Sequence, residues 1–370
     1  MYKYPVYQPS LAGNEKKYVL ECLESTWISS KGRFIGEFEK AFAAFIGVPH
    51  AAAVCNGTVA LHVALLALGI GPGDEVIVPS LTYIASVNAI RYTGAVPVFA
   101  DVRPDTWQID PAEVEKRISP KTRAIMAVHL YGHPCAMDRL VELAAQNNLY
   151  LVEDCAEAFG SRYQGLHVGS SGHISAFSFF GNKTITTGEG GMVVSADKTL
   201  IERAIHLKGQ GLAQNREYWH DIVGYNYRMT NICAAIGLAQ LERAEELIAR
   251  KRKVAEWYKK YLAGVPLSLQ GEFGAVVHSY WMVSALVAKA ALRDPLRAFL
   301  AAEGIETRPL FFPVHTMPMY APGVGKLPVT EDLSARGITL PSWPELRQED
   351  VAEICAQIRR GLNEFKGDDY

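Results

Sequence analysis

Residues 151–195 read LVEDCAEAFGSRYQGLHVGSSGHISAFSFFGNKTITTGEGGMVVS, and the reading of this stretch decides the fold. Residues 149–152 form a short apolar run of the kind a buried parallel strand uses, and it ends in Glu153 and Asp154. An acidic pair at the carboxyl end of a buried strand is costly unless something there requires negative charge. After a polar loop, residues 174–180 form a second apolar, β-rich segment. Gly181-Asn182-Lys183 and the turn Gly188-Glu189-Gly190-Gly191 follow at once. Two strand ends, one carrying a carboxylate and one a lysine, are thus expected to open into one crevice, where ligands bind in open α/β sheets.

Such a pair suits pyridoxal phosphate. The cofactor aldehyde condenses with a lysine amine, and an aspartate keeps the pyridine nitrogen protonated so that the ring accepts electrons. Singly, neither residue is informative, since most loop lysines are solvated charges and an aspartate after a strand is more often a helix cap. The informative feature is the order: a strand ending in Asp154, a strand ending in Ser178-Phe179-Phe180, then Lys183 and a glycine-rich turn.

Working outward, 370 residues are enough for one large core and a smaller second unit. A net charge of −2 gives no basic footprint, so neither nucleic acid nor an acidic membrane is expected as a partner. Cys22, Cys55, Cys135, Cys155, Cys233 and Cys355 are scattered without C-x-x-C or ligand-like clustering. That pattern predicts reduced thiols in a cytoplasm, with no disulfides and no metal site. The opening MYKYPVYQPS lacks the apolar core of a signal peptide. The best membrane candidate, residues 51–70, is broken by Asn56-Gly57-Thr58 and His62, so no span is expected.

Residues 11–26 have helical periodicity with Tyr18, Val19, Cys22 and Leu23 on one stripe, and a polar loop leads to a second helix through Phe38, Phe42 and Phe45. A strand at 51–55 runs into Asn56-Gly57-Thr58 and a helix over 59–68, with Gly69 as its left-handed stop. A small turn at a helix start leaves backbone N–H groups and the positive dipole end facing outward, a place for a phosphate. Tyr83, just past the strand at 75–79, is placed to stack on a flat ring. Residues 96–101 and 124–129 supply two further strands, with His129 expected as a structural histidine under the site. This alternation through residue 195 predicts right-handed βαβ crossovers and a mostly parallel sheet. Residues 205–218 read as a loop. One long helix is expected from Asn231 to about Leu262, with Gly237 as a tolerated weak point and Arg250-Lys251-Arg252-Lys253 as a solvated face. It connects to a C-terminal unit with a strand at 280–287 and helices at 295–302 and 348–365. The expected division is 1–245 for a large α/β domain and 246–370 for a smaller α/β domain.

The segments EDCAEAFGS, FSFFGNKTITTGEGGMV and GYNYRMTNICAAIGLAQLE resemble the nucleotide-sugar aminotransferases of the DegT/DnrJ/StrS family, which are fold-type-I pyridoxal-phosphate enzymes. The similarity runs from Pro9 to about Pro344. It implies that Lys183 and Asp154 are catalytic and that Gly57, Thr58, Tyr83, Asp154, Glu157, Ser178, Lys183 and Asn226 hold pyridoxal 5'-phosphate. Gly57 and Thr58 would take the phosphate and Tyr83 would cover the ring. The resemblance also implies a homodimer with shared active sites, in which the segment with Asn226 and Arg228 crosses to the neighbour. Ser29, Arg228, Arg308 and His315 would lie beside the substrate, although Arg308 and His315 can equally be structural.

Two stretches outside the cofactor motifs, TWISSKGRF and RPLFFPVHTMPMY, resemble family members that act on GDP sugars. They imply GDP-4-keto-6-deoxy-D-mannose as amino acceptor and L-glutamate as donor, in the supply of a deoxysugar for O-antigen lipopolysaccharide. The alternatives are a different 4-keto or 3-keto nucleotide sugar, or dehydration of a deoxysugar. Relatives that dehydrate replace the lysine by histidine, so Lys183 favours transamination. Glu157 departs from the glutamine common in the family. A carboxylate beside the cofactor's phenolate is repelled unless one of them holds a proton.

Overall fold

The computed structural model describes residues 2–321, 323 and 325–365. Seven strands build the main sheet: β1 (His50–Val54), β2 (Glu75–Pro79), β3 (Val96–Ala100), β4 (Thr122–Val128), β5 (Tyr150–Asp154), β6 (Ile174–Ser178) and β7 (Gly191–Ser195). Their spatial order is β1-β7-β6-β5-β4-β2-β3. The five strands from β6 to β3 pair in parallel, whereas β7 runs antiparallel to both β6 and β1. Two reversals restore the direction, so the carboxyl ends of β1, β5 and β6 share one edge of the sheet. Val76, Ile77 and Val78 are fully buried in succession, as are Ala124 to Ala127, because helices cover both faces.

Four helices lead into this sheet: α1 (Glu15–Glu24), α2 (Arg33–Ile46), α3 (Gly57–Ala67) and α4 (Ile84–Tyr92). Phe34, Phe38, Phe42 and Ile46 repeat at four-residue spacing along α2 and are buried. Phe42 meets Phe177 and Phe179 edge-on at 5.0 and 5.3 Å, which fixes the segment leading to Lys183. Residues 60–65 of α3 are buried without interruption, and Gly69 follows the helix at φ +78°. A second, antiparallel sheet has the order β8-β9-β11-β10, from β8 (Leu267–Leu269), β9 (Val283–Val287), β10 (Arg308–Pro309) and β11 (Gly337–Leu340). Its core includes Val254 and Tyr258 of the helix Ala244–Tyr261, Ile354 and Ile358 of the helix Gln348–Glu364, and also Tyr4 from the N-terminal segment. No helix among the described residues is long and apolar enough to cross a membrane.

The structure corrects several expectations. The stripe on α1 buries Cys22 but leaves Leu23 exposed. The helix Lys198–Lys208 extends into the stretch read as a loop, which begins only at Gly209. The single long helix is two, Asn231–Leu241 and Ala244–Tyr261, broken without any glycine or proline. At the break Gln240 binds the Ser10 carbonyl and the Glu15 carboxylate, and Arg243 reaches the Ser10 hydroxyl, so tertiary bonds hold the bend. Gly237 is no weak point but a packing requirement, since a Cβ there would lie 2.6 Å from Phe38. Lys251 does not belong to a solvated face: it is fully buried, and its amine donates to the Ser342 carbonyl at 2.8 Å. The strand expected from 280 starts at Val283, because Tyr280 takes a left-handed φ of +51°.

Candidate active site

Strand register lays the floor of the site. Val54, Gly191 and Ser178 stand side by side across β1, β7 and β6. Beyond Val54, Asn56 caps α3 by accepting from the Val59 N–H at 3.0 Å. Gly57 then lies against Ser178, where a Cβ on Gly57 would come 2.6 Å from the Ser178 Cβ, so only glycine permits this approach. The Gly57 and Thr58 N–H groups in the first turn of α3 have no carbonyl one turn back and open beside Ser178. Their positive dipole end suits a phosphate.

Successive strand residues point to opposite faces, which separates the two acids of β5. Glu153 binds the loop behind it, accepting from Gly169 N (2.8 Å), Ser171 N (2.9 Å) and Gly172 N (2.5 Å). His129 Nδ1 accepts from the Cys135 N–H at 3.0 Å, so its Nε2 carries the proton and donates to Glu153 at 3.0 Å. Burial pushes the Glu153 pKa up, but the His129 and backbone bonds outweigh it and hold the carboxyl below its usual range. Glu153 and His129 are therefore structural. With Cys155 they form a buried group within 4.8 Å, which the scattered cysteines did not suggest, but the bonds just described already occupy the His129 and Glu153 atoms.

Asp154 faces the other way. It accepts from Ser86 Oγ at 2.7 Å and from Ala156 N at 3.1 Å, and Ser86 Oγ lies 2.8 Å from Thr82 Oγ1. Burial raises its pKa, and the Ser86 and Ala156 bonds with the Lys183 charge only partly offset this. The result is a buried carboxylate that a cationic partner would stabilise.

Lys183 Nζ stands 3.9 Å from Glu157 Oε1 and 3.8 Å from the centre of the Trp281 ring. Burial lowers its pKa, against the pull of Glu157 and Asp154. Glu157 accepts from the Tyr131 N–H at 2.9 Å, and burial pushes it up to about 7 despite the lysine. A carboxyl raised in this direction keeps its proton more readily near neutral pH, which eases the conflict with a phenolate. Tyr83 is exposed at the entry to α4, its ring 5.5 Å from Phe311. Phe311 stacks on Tyr131 at 5.3 Å, and Tyr131 on Trp281 at 6.1 Å.

The remaining candidates make their bonds elsewhere. Asn226 and Arg228 are exposed, joined to each other at 3.0 Å, and bridge to Gly209 and Val54. The carbonyl of the exposed Ser29 accepts from Asn231 N at 2.6 Å. Arg308 is exposed and meets Glu306 at 3.3 Å. His315 is buried, with Nδ1 2.7 Å from Ser80 Oγ and Nε2 3.3 Å from Glu331, the geometry of a structural bracket. Ser86, Tyr131 and Trp281 belong to the site although no sequence motif marks them. Ser86 lies in a helix with no local signal, and the other two arrive through long-range packing.

A buried strand-end carboxylate, a largely buried amine and a glycine-lined helix start on one sheet edge fit the ring nitrogen, aldehyde and phosphate of pyridoxal phosphate. Fold and site together define a fold-type-I pyridoxal-phosphate-dependent transferase. The chain belongs to the DegT/DnrJ/EryC1/StrS aminotransferase family, whose profile matches residues 9–359. It is 62% identical over 364 residues to GDP-perosamine synthase of Escherichia coli O157:H7, covering 98% of this chain and 99% of that one. Identity to GDP-perosamine synthase of Vibrio cholerae is 51% over 363 residues, covering 97% and 99%. Among solved structures, the aminotransferase TlmJ from Streptoalloteichus hindustanus superposes with a TM-score of 0.94 at 31% identity, covering 98% of this chain and all of that one.

Proposed function

We propose that this aminotransferase moves the amino group of L-glutamate to the 4-keto carbon of GDP-4-keto-6-deoxy-D-mannose, with pyridoxal 5'-phosphate as cofactor. The observation that carries the reading is the 62% identity, over nearly the whole length, to a GDP-perosamine synthase. When bound, the cofactor supplies an electron sink for the carbon that loses its proton. Lys183 Nζ is the attachment point and then the proton carrier, and burial lowers its pKa, which eases the loss of the proton that both tasks require. Asp154, oriented by Ser86, would hold the ring-nitrogen proton, and Gly57, Thr58 and Ser178 would take the phosphate. Glu157 would meet the ring hydroxyl and Tyr83 would cover one ring face. Ser29, Arg228 and Arg308 are the candidates for sugar and nucleotide contacts. His315 supports them from below through Ser80 and Glu331.

The protein would work as a cytoplasmic homodimer in the supply of an O-antigen sugar, with 1–245 as its large domain and 246–370 as its small one; residues 366–370 lie outside the described residues. Six free cysteines support the compartment. The exposed Tyr218, Val223 and Asn226–Arg228 region supports the twofold contact, across which Asn226 would reach the partner's cofactor phosphate. Mixing inactive Lys183→Ala chains with inactive Asn226→Ala chains should restore partial activity in one hybrid site. Mixed dimers without activity would refute the sharing.

The substrate is tested by comparing kcat/KM for GDP-4-keto-6-deoxy-mannose, its dTDP gluco counterpart and the GDP gluco sugar, each with L-glutamate. A site that hydrogen-bonds guanine leaves polar groups unpaired when thymine enters, at about 1–3 kcal/mol each. Two such groups give a preference for GDP on the order of a hundredfold. Equal or better use of the dTDP sugar would remove the GDP reading and leave the family assignment standing.

A further inference from the structure

The loop that carries Lys183 runs from Phe180 to Gly188 and closes on its own base, the Lys183 N–H donating to the Phe180 carbonyl and the Thr187 N–H to the Phe179 carbonyl, both at 2.9 Å, but the carbonyls of Asn182 and Lys183 take no part in that closure. At the lysine two bonds arrive from distant segments. The Tyr7 hydroxyl donates to the Lys183 carbonyl at 2.5 Å, and the Trp281 indole N–H donates to the neighbouring Asn182 carbonyl at 2.7 Å. Trp281 also presents its ring face to the Lys183 amine.

Both donors are themselves anchored. The Tyr7 ring lies 5.0 Å from the buried Lys251 amine, which donates to the Ser342 carbonyl. The Ser342 N–H binds the carbonyl of Val6 at 3.0 Å, and Val6 N–H binds Glu306 at 2.8 Å. Trp281 stacks on the buried Tyr131, which in turn donates its N–H to Glu157. Burial raises the Tyr7 pKa, so its hydroxyl keeps the proton it donates.

We propose that Tyr7 and Trp281 are positioning residues that together grip two successive carbonyls of the Lys183 loop and so hold its amine in register with Asp154 and Glu157. The proposal rests on the reading of Lys183 as the attachment and proton-carrying residue. It assigns the N-terminal segment, which packs on the second sheet, a part in aligning a residue of the first.

Tyr7→Phe keeps the ring over Lys251 and removes only the hydroxyl. Trp281→Phe keeps an aromatic face beside the amine and removes only the N–H. In the cofactor-free protein, backbone hydrogen exchange across residues 180–187 should quicken about fivefold or more in each variant, with Tm within about 3 °C of wild type. In the cofactor-loaded protein kcat should fall about tenfold with KM for both substrates within about threefold, and the visible absorbance should titrate at a shifted pH. The double variant should lose less than the product of the two single losses, because both act on one loop. Exchange within twofold of wild type in both variants, or kcat unchanged despite faster exchange, overturns the proposal. A wild-type protein without aminotransferase activity refutes the functional reading instead, and exchange in the cofactor-free protein then decides whether the grip exists.

Discussion

Lys183→Ala is expected to lower kcat below about one thousandth of wild type while the protein still takes up the cofactor. The substitution removes both the attachment point and the proton carrier, and the buried amine of Lys251 cannot replace it because it is committed to Ser342. The fold should survive. Removing the ammonium takes away a pull that lowers the Glu157 pKa, so that carboxyl shifts further toward its protonated form and adds little buried charge. Cofactor retention by gel filtration, thermal melting and single-turnover kinetics with glutamate check the three statements. Activity within tenfold of wild type would exclude Lys183 as the proton carrier.

Asp154→Asn is expected to cost about a hundredfold in kcat or more, because an amide cannot accept the charge-assisted bond from a protonated ring nitrogen, a bond worth about 1.5–3 kcal/mol. The same change should leave the cofactor-free protein as stable as wild type or more so. The sign follows from burial. The carboxyl's pKa is raised in the folded state, so its stability contribution is most favourable below the unfolded aspartate pKa. It is lost as pH rises toward the folded pKa, which makes the charge a liability at neutral pH. Asparagine removes that liability: its carbonyl oxygen accepts from the Ala156 N–H, and its NH2 donates to Ser86 Oγ, which can turn its own proton to Thr82 Oγ1. A melt of the cofactor-free variant at pH 7 that falls well below wild type would contradict this account of Asp154. A near-normal kcat would remove it from the mechanism.

Lys183 and Asp154 were legible because each follows an apolar run that only a strand covered on both faces requires, and chain direction places both strand ends on one edge. Gly57 was legible for a similar reason, since a small turn between strand and helix leaves donors free. Glu153 and Asp154 could not be told apart in the sequence. The alternation of the strand sends one into a cage of backbone N–H groups and the other toward Ser86, and the register of β5 decides which.

The chain by itself determined a mostly parallel sheet, the alternation of strands and helices along it, and the shared edge to which the lysine and aspartate come, because these depend on local periodicity and strand direction. Only the tertiary structure decided the rest. Ser86 meets Asp154 from 68 positions away, Trp281 meets Asn182 from 99, and Tyr7 meets Lys183 from 176. The burial of Lys251 amid a basic run, the bend after Leu241 and the bracket around His315 are likewise set by partners far along the chain. Bonds of that kind leave no periodic trace, since each is fixed by where two cores meet and not by the residues on either side of it.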